Sequence, residues 1–212
     1  MEGKIVYFEN VGREDREAKL RITDETLSIA KERAEELGIR NILVATTGGD
    51  SAARAVEVLK GLRVIVVSHM TGHREPDTQE LTEENRKIVE SKDVVILTTA
   101  HAFAGVDRAI RSKYSWSPLA IVSSTLSIFG PGMKVACEIA LMAADAGLIR
   151  TDEDVIAIAG NTRGADTAVV VRPVNSSRFF DLDVKEILCK PLSAKTPRRE
   201  ETDTGRRAEH HH

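Results

Sequence analysis

Cysteine is scarce. Cys137 and Cys189 are the only two in 212 residues, too far apart for a metal-binding spacing and too few for a disulfide framework. A reducing, cytoplasmic setting is the expectation. Charge of one sign is also lacking: 30 Lys and Arg face 33 Asp and Glu, for a net charge of −3. Nothing here is built to neutralise a phosphate backbone, so nucleic acid is not an expected partner. No apolar run approaches the ~18 residues of a membrane span, and no charged-then-apolar leader opens the chain, so no membrane partner is expected either. Gln79 is the sole glutamine beside abundant Glu, Lys and Arg, a bias associated with thermophiles.

Familiar chemical signatures are missing too. There is no G-x-x-x-x-G-K-[ST] phosphate loop and no G-x-S-x-G nucleophile elbow. Gly130-Pro131-Gly132 begins a G-x-G-x-x-G pattern, but Val135 stands where the third glycine belongs; this reads as a turn and a helix start.

What is present is an ordinary globular composition, 42% hydrophobic and 30% charged. Residues 1–192 alternate strand-like and helix-like segments. Strands are expected at Lys4–Phe8, Asn41–Thr46, Arg63–Ser68, Asp93–Thr98, Leu119–Ser123, Val155–Ala159 and Ala168–Arg172, with a last one at Leu182–Leu188 packing on an edge. Between them, Thr23 is expected to cap a helix stopped by Gly38, and Asp50 or Ser51 one stopped by Gly61. Thr82 should cap a charged helix to about Ser91. A helix is expected over His101–Lys113, and Pro131 should open an apolar, central helix reaching Gly147.

Such alternation predicts an α/β fold: a three-layer αβα sandwich with a mostly parallel sheet and an antiparallel final pair. Residues 193–212 carry many charges and no large apolar residue, which predicts a disordered tail; His210, His211 and His212 resemble part of an expression tag.

In an open parallel sheet, ligands bind beyond the carboxyl ends of the strands. Five loops expected there are rich in Thr, Ser and Gly: Thr46-Thr47-Gly48-Gly49-Asp50-Ser51, Ser68 to His73, Thr98 to His101, Ser123-Ser124-Thr125, and Gly160-Asn161-Thr162-Arg163-Gly164 running on to Thr167. The first pairs two glycines with a helix start, so backbone amides and the positive helix end can cradle an anion, with Thr46, Thr47 and Ser51 completing the cage. The bland alternative is a tight turn and a capping serine. Arg54 and Arg163 suit phosphate by their paired donors; Arg54 could equally lie on a solvated helix face. His69, His73 and His101 fall in these loops as candidates for ligand contact or acid–base work, or as plain surface histidines. A metal would want a third or fourth ligand, for which Asp77 or Glu75 are candidates, and no metal site is expected.

Two stretches carry a family resemblance. Ile42–Thr71, ILVATTGGDSAARAVEVLKGLRVIVVSHMT, is similar in layout to the part of the pyruvate kinase C-terminal domain whose Thr/Ser/Gly loop opens a helix. Ala140–Val174, ALMAADAGLIRTDEDVIAIAGNTRGADTAVVVRPV, resembles that domain's end. The chain looks like a stand-alone pyruvate kinase α/β-domain protein of the archaeal type. The resemblance implies no kinase activity, because that chemistry belongs to a barrel domain for which this chain has no room. It implies instead a regulatory module whose loop holds the phosphate of an effector, here Thr46, Thr47, Gly48, Gly49, Asp50 and Ser51, joined by Gly160 to Gly164. Residues 72–135 depart from the pattern and are expected to bring His101, Phe103, Ser123, Ser124, Thr125 and Phe129 to the same edge.

The expected function is binding of a phosphorylated small molecule, with flavin mononucleotide (FMN) as first candidate on the resemblance; Phe103, Trp116 and Phe129 could flank its ring. One alternative is a flavin-dependent or sugar-phosphate enzyme using a loop histidine as acid–base. Another is a ligand-free regulatory or interaction domain. An apolar edge at Leu182–Leu188 would invite a homo-oligomer.

Overall fold

The computed structural model describes residues 4–11, 14–161 and 164–193. Seven strands form one sheet: β1 (Val6–Phe8), β2 (Asn41–Thr46), β3 (Arg63–Ser68), β4 (Val95–Thr98), β5 (Val155–Ala159), β6 (Thr167–Arg172) and β7 (Asp183–Pro191). Their order is β1-β7-β6-β5-β2-β3-β4. Only β6 runs against the rest, pairing antiparallel with β5 and β7. The expected mostly parallel α/β sandwich is therefore the fold.

Helices cover both faces. On one side lie α1 (Arg16–Leu37), α2 (Asp50–Val58) and α3 (Glu83–Glu90); Leu27, Ala30, Ala55 and Val89 are buried there against Ile42, Val44 and Ile156. On the other, α6 (Pro131–Asp145) buries Ala136, Ile139, Ala140 and Leu141 against Leu43, Ile65 and Ala157. Alternate residues of β2 thus point into opposite cores, as a strand buried on both faces requires. α4 (Gly105–Tyr114) and α5 (Pro118–Ser127) complete the second layer, with α5 resting on α6. Among the described residues, no helix is long and apolar enough to cross a membrane. Both cysteines are free and buried.

Several elements differ from the sequence expectation. Leu119–Ser123 is helical, inside α5: Ser117 accepts a hydrogen bond from the Ala120 amide at 3.0 Å and Pro118 occupies the first turn, and these start signals outweigh the β-branched Ile121-Val122. Thr23 is not a cap. α1 starts well before it, capped by Asp15, and Thr23 is buried in the helix, its hydroxyl accepting from the Ala165 amide at 3.0 Å. α2 is capped by the backbone of Gly49, not by Asp50 or Ser51. The helix expected from His101 begins at Gly105. β7 lies between β1 and β6, but β1 pairs only with its last three residues, Cys189–Pro191, so among the described residues the expected strand at Leu182–Leu188 keeps an open edge on its β1 side. The expected disordered tail falls beyond Ser193, outside the described residues.

Register sets where the loops emerge. Thr46 pairs with Ser68, and Ser68 with Thr98, so β2, β3 and β4 end level; the Ser68 and Thr98 hydroxyls meet at 2.6 Å. The chain steps from β2 outward to β3 and β4, then returns to the opposite side of β2 as β5. This reversal opens the crevice where open α/β sheets bind ligands.

Gly49 is a tight fit on this edge, at φ +103; a Cβ there would stand 2.3 Å from the Asn85 Cβ. Gly49→Ala should therefore lose about 2–4 kcal/mol in urea unfolding through strain and overpacking, whereas Gly48→Ala, with nothing within 4 Å of its Cβ position, should change stability by less than about 1 kcal/mol.

Candidate functional site at the sheet's carboxyl edge

The β2–α2 loop has a different internal logic from the one its sequence suggests. The Gly49 amide is already taken, donating to Thr46 Oγ1 at 3.1 Å, so neither group joins an anion cage. Gly48 presents its carbonyl to α3, accepting from the Asn85 side chain at 2.9 Å and from the Thr82 amide at 3.2 Å. The glycine pair is thus spent on close packing of α3. What stays open is the helix itself: α2 has no side-chain cap, and among the described residues no hydrogen bond engages the first-turn amides of Asp50, Ser51 and Ala52. Ser51 is buried beside them and Asp50 is exposed. Arg54 does not face this opening, because Asp24 holds its guanidinium at 2.7 and 2.5 Å.

The three loop histidines converge. His69 and His73 leave β3, His101 follows β4, and their ring centres lie 4.3, 4.9 and 5.2 Å apart. Thr47 Oγ1 lies 3.5 Å from His69 Nε2, joining this cluster to the start of α2. His69 Nδ1 contacts Glu80 Oε2 at 2.6 Å, and Arg74 holds the other Glu80 oxygen at 3.0 Å. Burial works against ionisation of Glu80, but the His69 hydrogen bond and the charges of His69 and Arg74 prevail, holding its carboxyl below the ordinary range. Arg108 donates to the His73 carbonyl at 2.6 Å and lies 3.2 Å from His73 Nδ1. Burial, with the neighbouring His69 and Arg108 charges, lowers the His73 pKa.

His101 is the most enclosed. Its Nε2 accepts from the Met70 amide at 3.3 Å. Burial pushes its pKa down to about 4; Glu138 pulls upward, while His69 and His73 add to the fall. Sequence reasoning missed Glu138. This buried carboxylate on the apolar α6 accepts from the Phe103 amide at 2.8 Å and pairs with Lys134 at 3.0 Å. Its signal was a glutamate four residues after a lysine in an otherwise apolar helix.

Phe103 is itself buried, edge-on to Phe179 at 5.5 Å, and offers no exposed ring to a ligand. Ser123, Ser124 and Thr125 sit on α5 rather than in a loop following a strand. Trp116 and Phe129 are exposed on that same outer segment. Across the switch point, Gly160 begins the β5–β6 turn, where a Cβ would meet the Gly164 carbonyl at 2.1 Å; glycine permits this close return. Thr162 and Arg163 fall outside the described residues.

Gly164 and Asn161 line a small cleft open to solvent, together with Phe8, Lys19, Pro131 and Asp166. Asp166 is the second group the sequence reading passed over. Burial pushes its pKa up to about 6, against hydrogen bonds from the Thr167 hydroxyl and the Asn161 amide. The only sequence signal was an acid next to the strand start.

These two groups tilt stability in opposite directions. Between about pH 4 and 6 folded Asp166 keeps a proton that the unfolded chain releases, so its contribution falls as pH rises. From pH 6.5 down to about 4 the unfolded chain binds a proton that folded His101 refuses, so that contribution falls as pH drops. Asp166→Asn should accordingly gain up to roughly 3 kcal/mol at pH 7.5, with the gap closing near pH 4 in urea titrations. His101→Gln should be relatively stabilised at pH 5 and not at pH 7.5.

With this geometry in place, comparison with known families adds one finding. Residues 24–171, from the third turn of α1 to the penultimate residue of β6, match the family model described as pyruvate kinase, alpha/beta domain.

Proposed function

The chain belongs to the pyruvate kinase alpha/beta-domain family, and on that premise we propose that it binds a phosphorylated small molecule at the sheet's carboxyl edge, with FMN as the first candidate. The observation that carries this is the open first turn of α2. The amides of Asp50, Ser51 and Ala52 lie beside the buried Ser51 hydroxyl, at the positive end of a helix that no side chain caps. Thr47 borders the opening and meets His69 there, while Asn161 and Gly164 line a cleft with Phe8, Lys19 and Asp166 that includes no residue of the β2–α2 loop. The flavin identity is supported by the family resemblance alone, as is assignment to a stand-alone archaeal branch. Kinase activity is not carried over with the fold.

This reading predicts phosphate-dependent stabilisation. FMN at one hundred times its Kd should stabilise the chain by about 2.7 kcal/mol, a rise of about 5–11 °C in melting temperature, whereas riboflavin, lacking the phosphate, should give little. Ser51→Glu, which places a carboxylate in the opening, should abolish the shift. Absence of any shift with FMN, sugar bisphosphates and inorganic phosphate would instead favour a ligand-free interaction domain.

Self-association belongs on α4–α5 rather than on the open side of β7, where Lys185 and Glu186 are held in ion pairs. Val106, Tyr114, Trp116, Ile121, Ile128 and Phe129 are each at least half exposed there, and α5 has neither a charged nor a buried residue. Pairing two such faces desolvates no charge on α5. Sedimentation should give an oligomer that Ile121→Asp converts to monomer; a monomeric parent chain at ~100 μM, well above the Kd of a ~1,600 Å2 interface, would refute it.

A further inference from the structure

His69 stands between two oxygen-bearing side chains. Its Nδ1 faces Glu80 Oε2 at 2.6 Å and its Nε2 faces Thr47 Oγ1 at 3.5 Å. An ionised carboxylate can only accept, so the ring proton sits on Nδ1. In the neutral ring Nε2 is then a lone pair, and the Thr47 hydroxyl is its donor. Glu80 is fixed from its far side by Arg74 at 3.0 Å. The loop that returns Glu80 to His69 is itself stitched: Gln79 donates to the His69 carbonyl at 2.9 Å, and the Gly72 amide to the Thr78 carbonyl at 2.9 Å. This is a hydroxyl, an imidazole and a carboxylate in series, at the mouth of α2.

We propose that Thr47, His69 and Glu80 form a nucleophile–base–carboxylate relay that transfers the acyl group of a carboxylic ester to water. Thr47 Oγ bonds to the ester carbonyl carbon as its proton passes to His69 Nε2. The carbonyl π pair moves onto oxygen, where the first-turn amides of α2 receive it; this part rests on the opening described under the proposed function. The carbon–alkoxide bond breaks, and the departing alcohol takes the proton from His69. Water then adds to the acyl-threonine, giving its proton to His69. Collapse releases the carboxylic acid and returns the proton to Thr47. Glu80 is a positioning residue: it holds Nδ1–H and stabilises the transient imidazolium.

Two alternatives fit less well. His69, His73 and Glu80 bring ligand atoms within 4.8 Å of one another, a spacing that could hold a cation, but Arg74 and Arg108 point at two of these three side chains and oppose a dication. Phosphoryl transfer would call for a cationic clamp, yet Arg54 and Arg74 are engaged by Asp24 and Glu80, whereas a carbonyl oxyanion needs only amide donors.

The test is labelling of the full chain with an alkyl fluorophosphonate, read by peptide mass spectrometry, alongside hydrolysis of p-nitrophenyl acetate. The expected result is an adduct on Thr47, lost in Thr47→Ala and retained in Thr47→Ser. Labelling should slow by about 100-fold or more in His69→Gln. In Glu80→Gln the pH midpoint of labelling should move downward, because the imidazolium loses its carboxylate, which a merely structural role would not do. Absence of an adduct on Thr47 in the unsubstituted protein overturns the relay, as does an unchanged rate in folded His69→Gln. FMN and phosphate shifts measured on the same samples separate the two ideas: phosphate binding without an adduct removes the relay alone, and an adduct without phosphate binding removes the phosphate reading alone.

Discussion

Desolvation of the sheet's two faces governs where polar groups can go in this protein. β5 is buried along its whole length, and β2 and β3 along nearly all of theirs, with helices above and below. A hydroxyl, imidazole or carboxylate placed within those layers would lose its water without gaining a partner. Such groups therefore gather at the strand ends, and level termination of β2, β3 and β4 stacks three of their loops side by side. The histidine cluster follows from that register.

Around this edge, buried polar groups are tied to backbone that would otherwise be poorly anchored. Glu138 reaches from α6 to the Phe103 amide, and Thr23 reaches from α1 to the Ala165 amide. Asn85 reaches from α3 to the Gly48 carbonyl. Each side chain sits on a packed helix, so each loop inherits the helix's rigidity, and the open first turn of α2 is left in a fixed place.

Much of the fold was legible from local pattern. β2, β3 and β5 match the apolar runs residue for residue. Thr82 and Pro131 mark true helix starts, and Gly38 a true stop. Failures came where local signals compete. Ile121-Val122 favours a strand in isolation, yet the Ser117–Pro118 start and the α6 surface make it a helix. Thr23 has the chemistry of a cap, but an earlier aspartate had already begun the helix.

The site divides along the same line. Which residue types crowd the strand ends, and that His69, His73, His101, Thr47 and Ser51 are among them, follows from sequence order once strands alternate with helices. Which of them touch does not. That Thr46 fills the Gly49 amide, that Asp24 captures Arg54 across 30 positions, and that Glu80 folds back onto His69 depend on separations in space. A hydrogen bond decays within an ångström of its ideal length, and sequence spacing carries no such resolution across a loop or between two helices. The linear chain determined the layers and the chemistry available at their rim; only the packed fold decided which groups were consumed by the protein itself and which remained free to act.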